Sequence, residues 1–214
     1  MRYSMRWLAG VVMLVGATVA GAQDVRLQQR LDATTAAQVG AILDSARAAG
    51  LPTRSLTSKA LEGASKGAPG ARIVAAVSRL AGSLRSARGV LGPSTEAELD
   101  AAASALMLGV RQEELTAVRS ARSGERLTVP LAVLADLVAY GVPSDAATEA
   151  VVRLAGRSED EALLDFRRDV ERDIALGAPP AAAAAIRLNS TVRAESDFTA
   201  GQQVGTPPPR PRKP

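Results

Sequence analysis

The sequence predicts an all-α fold: about nine helices in glycine-turned helical hairpins, as an α-solenoid-like stack or compact orthogonal bundle, with a disordered C-terminal tail. Three observations predict it. Apolar residues recur at helical spacing nearly throughout, as in Ile73, Val74, Val77, Leu80, Ala81 and Leu84. No stretch shows a convincing strand alternation. One tripeptide form, Gly–apolar–Pro, recurs at Gly50-Leu51-Pro52, Gly67-Ala68-Pro69, Gly141-Val142-Pro143 and Gly177-Ala178-Pro179.

The first element is not part of the fold. Arg2 and Arg6 precede an apolar run from Trp7 to Ala20 that Gly10 and Gly16 interrupt, and Ala20-Gly21-Ala22 follows. Charge, apolar run and small residues in that order predict a secretory signal cleaved after Ala22. A spanning helix needs about 20 apolar residues, so the run is too short for an anchor. With no cysteine in the chain, a lipid anchor has no attachment site. The mature protein would begin at Gln23, and removing 22 residues from 214 leaves 192.

Residues 23–33 read as a linker and 34–194 as the helical-hairpin domain. Helices are expected near 34–49, 54–66, 69–88, 95–108, 111–122, 130–140, 144–155, 158–176 and 179–193. Each Gly–apolar–Pro unit suits a helix that ends on a left-handed glycine, tucks an apolar residue against its last turn and restarts at proline. Gly109-Val110-Arg111 is a fifth copy without the proline. Thr95-x-x-Glu98 and Ser158-x-x-Glu161 read as capping boxes. Ser144 is expected to cap the helix after Pro143, and Thr128 the helix around Pro130. Gly124 is expected to be an ordinary, substitution-tolerant loop glycine.

Aligned on the turn glycines, the chain shows a degenerate repeat. Leu106, Val138 and Ile174 stand three residues before successive glycines, although the steps 67→109, 109→141 and 141→177 are unequal. The stretch Leu91-Gly92-Pro93-Ser94-Thr95-Glu96-Ala97-Glu98-Leu99, with Gly109-Val110 beyond it, resembles part of the Gly-Pro-x-Thr-x-x-Ala helix of peptidoglycan-binding modules. The likeness covers about 20 residues. Where that family carries an aromatic and a glutamine, Ala102 and Ala103 stand here. It implies association with peptidoglycan.

Composition excludes several chemistries. With no cysteine and no histidine, the chain has no disulfide, no thiolate or imidazole metal site and no histidine base. No cofactor and no catalytic or metal-binding set is expected. The net charge of +4 sits at the ends. Taking Arg2, Arg6, Arg210, Arg212 and Lys213 from the 26 basic residues leaves 21, against 22 acidic ones. A near-neutral body with few aromatics argues against nucleic-acid binding.

Within the domain, Asp165, Asp169 and Asp173 form an i,i+4 row beside Arg168 and Arg172. Ordinary i,i+3 ion pairs explain the first two. Asp173 lies at the edge of the apolar stripe near a helix C-terminus, so it should pair with an arginine from another helix. Lys59, Glu62 and Lys66 form an ion triad, and Ser55 stands one turn from Lys59. Ala60, Gly63 and Gly67 remove bulk from one helix face, which suggests close helix–helix approach. Residues 195–214 form the tail, ending in a basic polyproline run from Thr206 to Pro214 that favours polyproline II. Its Arg210, Arg212 and Lys213 are the candidate contacts for an anionic partner, or for a groove that recognises proline.

These features point to an exported, non-enzymatic interaction or scaffold module, periplasmic or extracellular, with an envelope protein or anionic envelope polymer as partner. The alternatives are a carboxylate-dependent hydrolase and a peptidoglycan-associated binding module.

Overall fold

The computed structural model describes residues 26–156 and 159–203, with side chains through residue 193. It is all-helical, with no strand among the described residues. A short helix α1 (residues 26–30) is followed by α2 (Ala33–Ala48), α3 (Arg54–Ser65), α4 (Gly70–Leu91), α5 (Glu96–Met107) and α6 (Gln112–Ala121). Then come α7 (Thr128–Ala139), α8 (Ser144–Ala155), α9 (Asp160–Ala175) and α10 (Pro180–Gln203).

The five Gly–apolar turns form as expected. Each glycine has positive φ, and the N–H of the apolar residue after it bonds back around the helix end: Leu51 to Ala46, Ala68 to Gly63, Val110 to Ala105, Val142 to Leu137 and Ala178 to Asp173. This is the Schellman closure, which satisfies carbonyls that the helix end would leave orphaned. Leu51, Val110 and Val142 are buried, so the same residue that closes the turn also anchors it in the core. The prolines sit one place earlier than expected. Pro69 and Pro143 occupy N-cap positions at ψ 142° and 140°.

Helices pack with those one or two places away in the chain, so they form two rows. The even row runs α2–α4–α6–α8–α10, and the odd row runs α5–α7–α9 alongside it. Between them lies one continuous core that includes Leu43, Leu84, Leu99, Leu115, Leu131 and Phe166, all essentially inaccessible. Full burial of each such side chain contributes about 1.5–3 kcal/mol. This sequential contact order is that of a stack of helical hairpins, compactly packed.

Several local expectations are corrected. The linker 23–33 contains α1, whose Leu27 is buried; Leu27 and Leu31 have the i,i+4 spacing that marks it. Thr128 and Ser144 are first helical residues rather than caps, because their neighbours Leu127 and Pro143 take the cap positions. The α9 N-cap is Glu159, not Ser158, which lies outside the described residues. Helix α10 continues to Gln203, past the expected end at 193, since no proline interrupts Ala194–Gln203. The rest of the tail lies outside the described residues. Gly124 has φ +82°, so it too is a strained position for other residues.

Close approach occurs at Gly63, where a Cβ would lie 2.8 Å from Ile73 Cγ1 of α4, and Ala60 is fully buried. Gly67 belongs instead to the turn, with open space around it. A tighter approach is at Gly70. A Cβ there would overlap Thr35 Oγ1 and come within 3.2 Å of the Asp32 carboxylate that caps α2. Gly70→Ala should therefore cost about 1–3 kcal/mol in urea unfolding. Gly82→Ala, with nothing within 4 Å, should instead stabilise by about 0.5–1 kcal/mol. Equal effects would contradict the packing at the α2–α4 N-termini.

Candidate functional site

Helices two apart run parallel, and their like ends are stitched by side chains. At the N-terminal end of α5, Glu98 is buried and completes the expected capping box: Thr95 N–H donates to Oε2 at 2.8 Å, and Glu98 N–H donates to Thr95 Oγ1 at 3.2 Å. Its other oxygen accepts the buried Leu127 N–H at 2.8 Å, at the start of α7. Burial alone would raise the Glu98 pKa, but the Leu127 and Thr95 N–H donors more than offset it and hold the carboxyl below its ordinary value. Glu114 does the same for α6 and α8. It is buried, accepts Arg111 N–H and a guanidinium N–H, each at 2.7 Å, and receives the Ser144 hydroxyl at 3.2 Å.

Arginines stitch the C-terminal ends of the even helices. Arg88 of α4 donates to Gly50 O at 3.2 Å, just beyond α2, and Arg119 of α6 donates to Val90 O of α4 at 2.6 Å. Arg122 is buried; its Nε donates to Ala155 O of α8 at 3.2 Å, and its Nη1 pairs with Asp160 at the start of α9. Each guanidinium sits where helix carbonyls are orphaned and the dipole favours a cation. A cleft of ≈ 350 Å³ opens beside Glu98, Arg119 and Arg122, and those groups are already engaged in these ties.

The sequence-derived candidates are placed as follows. Arg210, Arg212 and Lys213 lie outside the described residues. Asp165 pairs with Arg168, and Asp169 with Arg172 at 2.9 Å. Asp173 receives two bonds from Arg187 of α10, at 2.6 and 2.7 Å, which is the expected interhelical pair. The Lys59–Glu62–Lys66 triad forms, and hydrogen bonds from Lys66 and then Lys59 hold the Glu62 carboxyl down at about 2. The Ser55 hydroxyl is inaccessible and sits beside Asp100 of α5 rather than with Lys59. Among the described residues, no group of three or more acidic, histidine or cysteine side chains could hold a metal ion. No described helix is long and apolar enough to cross a membrane.

The opposite edge of the stack, where odd helices end and even helices begin, has a different character. Its turns are adjacent: Glu114 meets Ser144, and a Cβ on Gly141 would stand 3.5 Å from Pro180 Cγ. At the last three turns the residue before the glycine is large and apolar or aromatic, Leu108, Tyr140 and Leu176, whereas Lys66 stands before Gly67. Leu108 is 45% exposed and Leu176 81%, with Met107 at 44% beside the first. Tyr140 is half-buried and donates to Glu171, a bond that raises its pKa first, with burial adding to it. Sequence reasoning missed this row, although the position before the turn glycine marks it.

No known family, curated protein or solved structure matches this chain.

Asp100 carries the clearest unpaired charge. Burial pushes its carboxyl up, the Ser55 hydroxyl partly counters this, and Glu96 on the same helix adds repulsion. Its Oδ1 and Ser55 Oγ are both inaccessible without a well-formed hydrogen bond. A folded pKa above the unfolded value means the native state binds the extra proton, so this group's contribution falls as pH rises from 3.8 through the folded pKa. Asp100→Asn should therefore raise the neutral-pH melting temperature, and its advantage over the parent should shrink as pH is lowered towards 4. An advantage independent of pH would show that Asp100 is not the titrating group.

Proposed function

We propose that the mature chain is an exported, non-enzymatic interaction or scaffold module of the cell envelope. The signal-like segment 1–22 supports export to the periplasm or beyond. The observation that carries the interaction reading is the row Leu108–Tyr140–Leu176, repeated at one register of three successive hairpins. Repeat proteins use such aligned positions for extended binding surfaces, and large apolar side chains left exposed in a row mark contact surfaces rather than stray exposure. The row of aspartates on α9 is engaged by Arg168, Arg172 and Arg187, which favours this reading over a carboxylate-dependent hydrolase.

The test is made in cells that export the chain. Intact mass should show a product starting at Gln23, found in envelope or secreted fractions. It should fractionate in assemblies larger than its own 192 residues, counted as 214 less the 22 of the signal. Leu108→Glu with Leu176→Glu should release it as a monomer with unchanged helical circular dichroism. A product that keeps Trp7, or assemblies indifferent to both substitutions, would contradict the proposal.

A further inference from the structure

We propose that the edge formed by Leu108, Tyr140 and Leu176 binds the basic, proline-rich segment 206–214 of a second copy of this chain. The inference rests on reading the chain as an interaction module and names that module's partner.

Spacing gives the first argument. Adjacent packed helices stand about 8–10 Å apart, so three successive rungs repeat at that interval. A polyproline II segment advances about 9.3 Å per three-residue turn. In that conformation the run Thr206-Pro207-Pro208-Pro209-Arg210-Pro211-Arg212-Lys213-Pro214 would present one face per rung, three turns to three rungs. Rings and aliphatic side chains in a row are what proline-rich segments dock against, because the ligand loses little conformational freedom on binding.

Charge gives the second. Three arginines near this edge are held in ion pairs: Arg111 with Glu114, Arg167 with Asp136, and Arg187 with Asp173. Among the described residues, Glu113, Asp145 and Glu171 enter no ion pair. Glu113 and Asp145 are exposed on the first turns of α6 and α8, and Glu171 lies against Tyr140. Three carboxylates along the edge thus match in number the three cations of the segment, Arg210, Arg212 and Lys213.

Reach decides whose segment it is. Helix α10 starts at this edge, with Pro180 against Gly141, and its 24 residues carry Gln203 about 36 Å away. Residues 204–214 extend at most about 40 Å. Fully stretched, they return only their last residue to the edge, and 206–212 cannot lie across it. The segment must come from another molecule.

Sedimentation velocity on the mature full-length chain over a concentration series tests this. Association should strengthen with concentration, and deletion of 206–214 or Leu176→Glu should each weaken it at least about tenfold. Mixing the two variants should restore a mixed pair, since one supplies the edge and the other the segment. Added salt should weaken that pair, because exposed charges contribute to it. Circular dichroism checks that both variants keep their helices, and Leu108→Glu replaces Leu176→Glu if that one does not. A chain that stays monomeric, or a mixture that does not pair, overturns the proposal. Association that survives deletion but not the edge substitution also overturns it, while leaving the interaction reading intact.

Discussion

Parallel stacking brings like ends of helix dipoles side by side, and that is the constraint on which this structure depends. Two adjacent N-termini present unpaired N–H groups and partial positive charge; two adjacent C-termini present unpaired carbonyls and partial negative charge. Neither can be buried unsatisfied without a loss of about 1–3 kcal/mol per group. The chain solves both ends with charge. Asp32, Glu98 and Glu114 sit at shared N-termini, and Arg88, Arg119 and Arg122 at shared C-termini. Burial of the apolar core is non-directional, so these directional bonds help to set helix register.

The two edges of the stack consequently differ. One holds the start of α5, the loop into α7 and the ends of α4, α6 and α8, and Glu98, Arg119 and Arg122 there are engaged in ties. The other is closed by the turns at Gly67, Gly109, Gly141 and Gly177, whose hydrogen bonds are made within the main chain, beside the Glu114–Ser144 tie. The side chains before those turns are not needed for closure, and Leu108 and Leu176 among them are highly exposed. A surface that is not needed for folding is available for contact. Three of the glycine turns mark that edge, with Leu108, Tyr140 and Leu176 at their C-cap positions.

Much of the fold was legible in local sequence because its signals are local. Gly50, Gly67, Gly109, Gly141 and Gly177 announce their turns through the apolar residue that follows, and Thr95 announces its box through Glu98. What was not legible depends on partners distant in the chain. Glu98 reads as one half of a cap, but its bond to Leu127 spans 29 residues. Nothing near Arg122 in the sequence marks it as buried, yet it is tied to Ala155 and Asp160, 33 and 38 residues away. Ser144 reads as a cap, but Pro143 takes that position and the Ser144 hydroxyl donates to Glu114, 30 residues away. Asp173 was legible in part: its position at the end of an apolar stripe required a cation from elsewhere, and Arg187 supplies it. The exposed edge left its mark only in register, at the residue before the last three turn glycines.

Two glutamates on the first turn of α5 test the central claim most directly. Glu96 is exposed and shares the helix dipole, whereas Glu98 is buried and holds Leu127. In equilibrium urea unfolding, Glu98→Ala should cost at least about 2 kcal/mol, since it strands a buried N–H and breaks the tie between α5 and α7. Glu96→Ala should change stability by less than about 1 kcal/mol, the size of a surface dipole interaction. Equal losses would mean that the acids serve only their own helix, and that the stack is held in register by something other than its stitched ends.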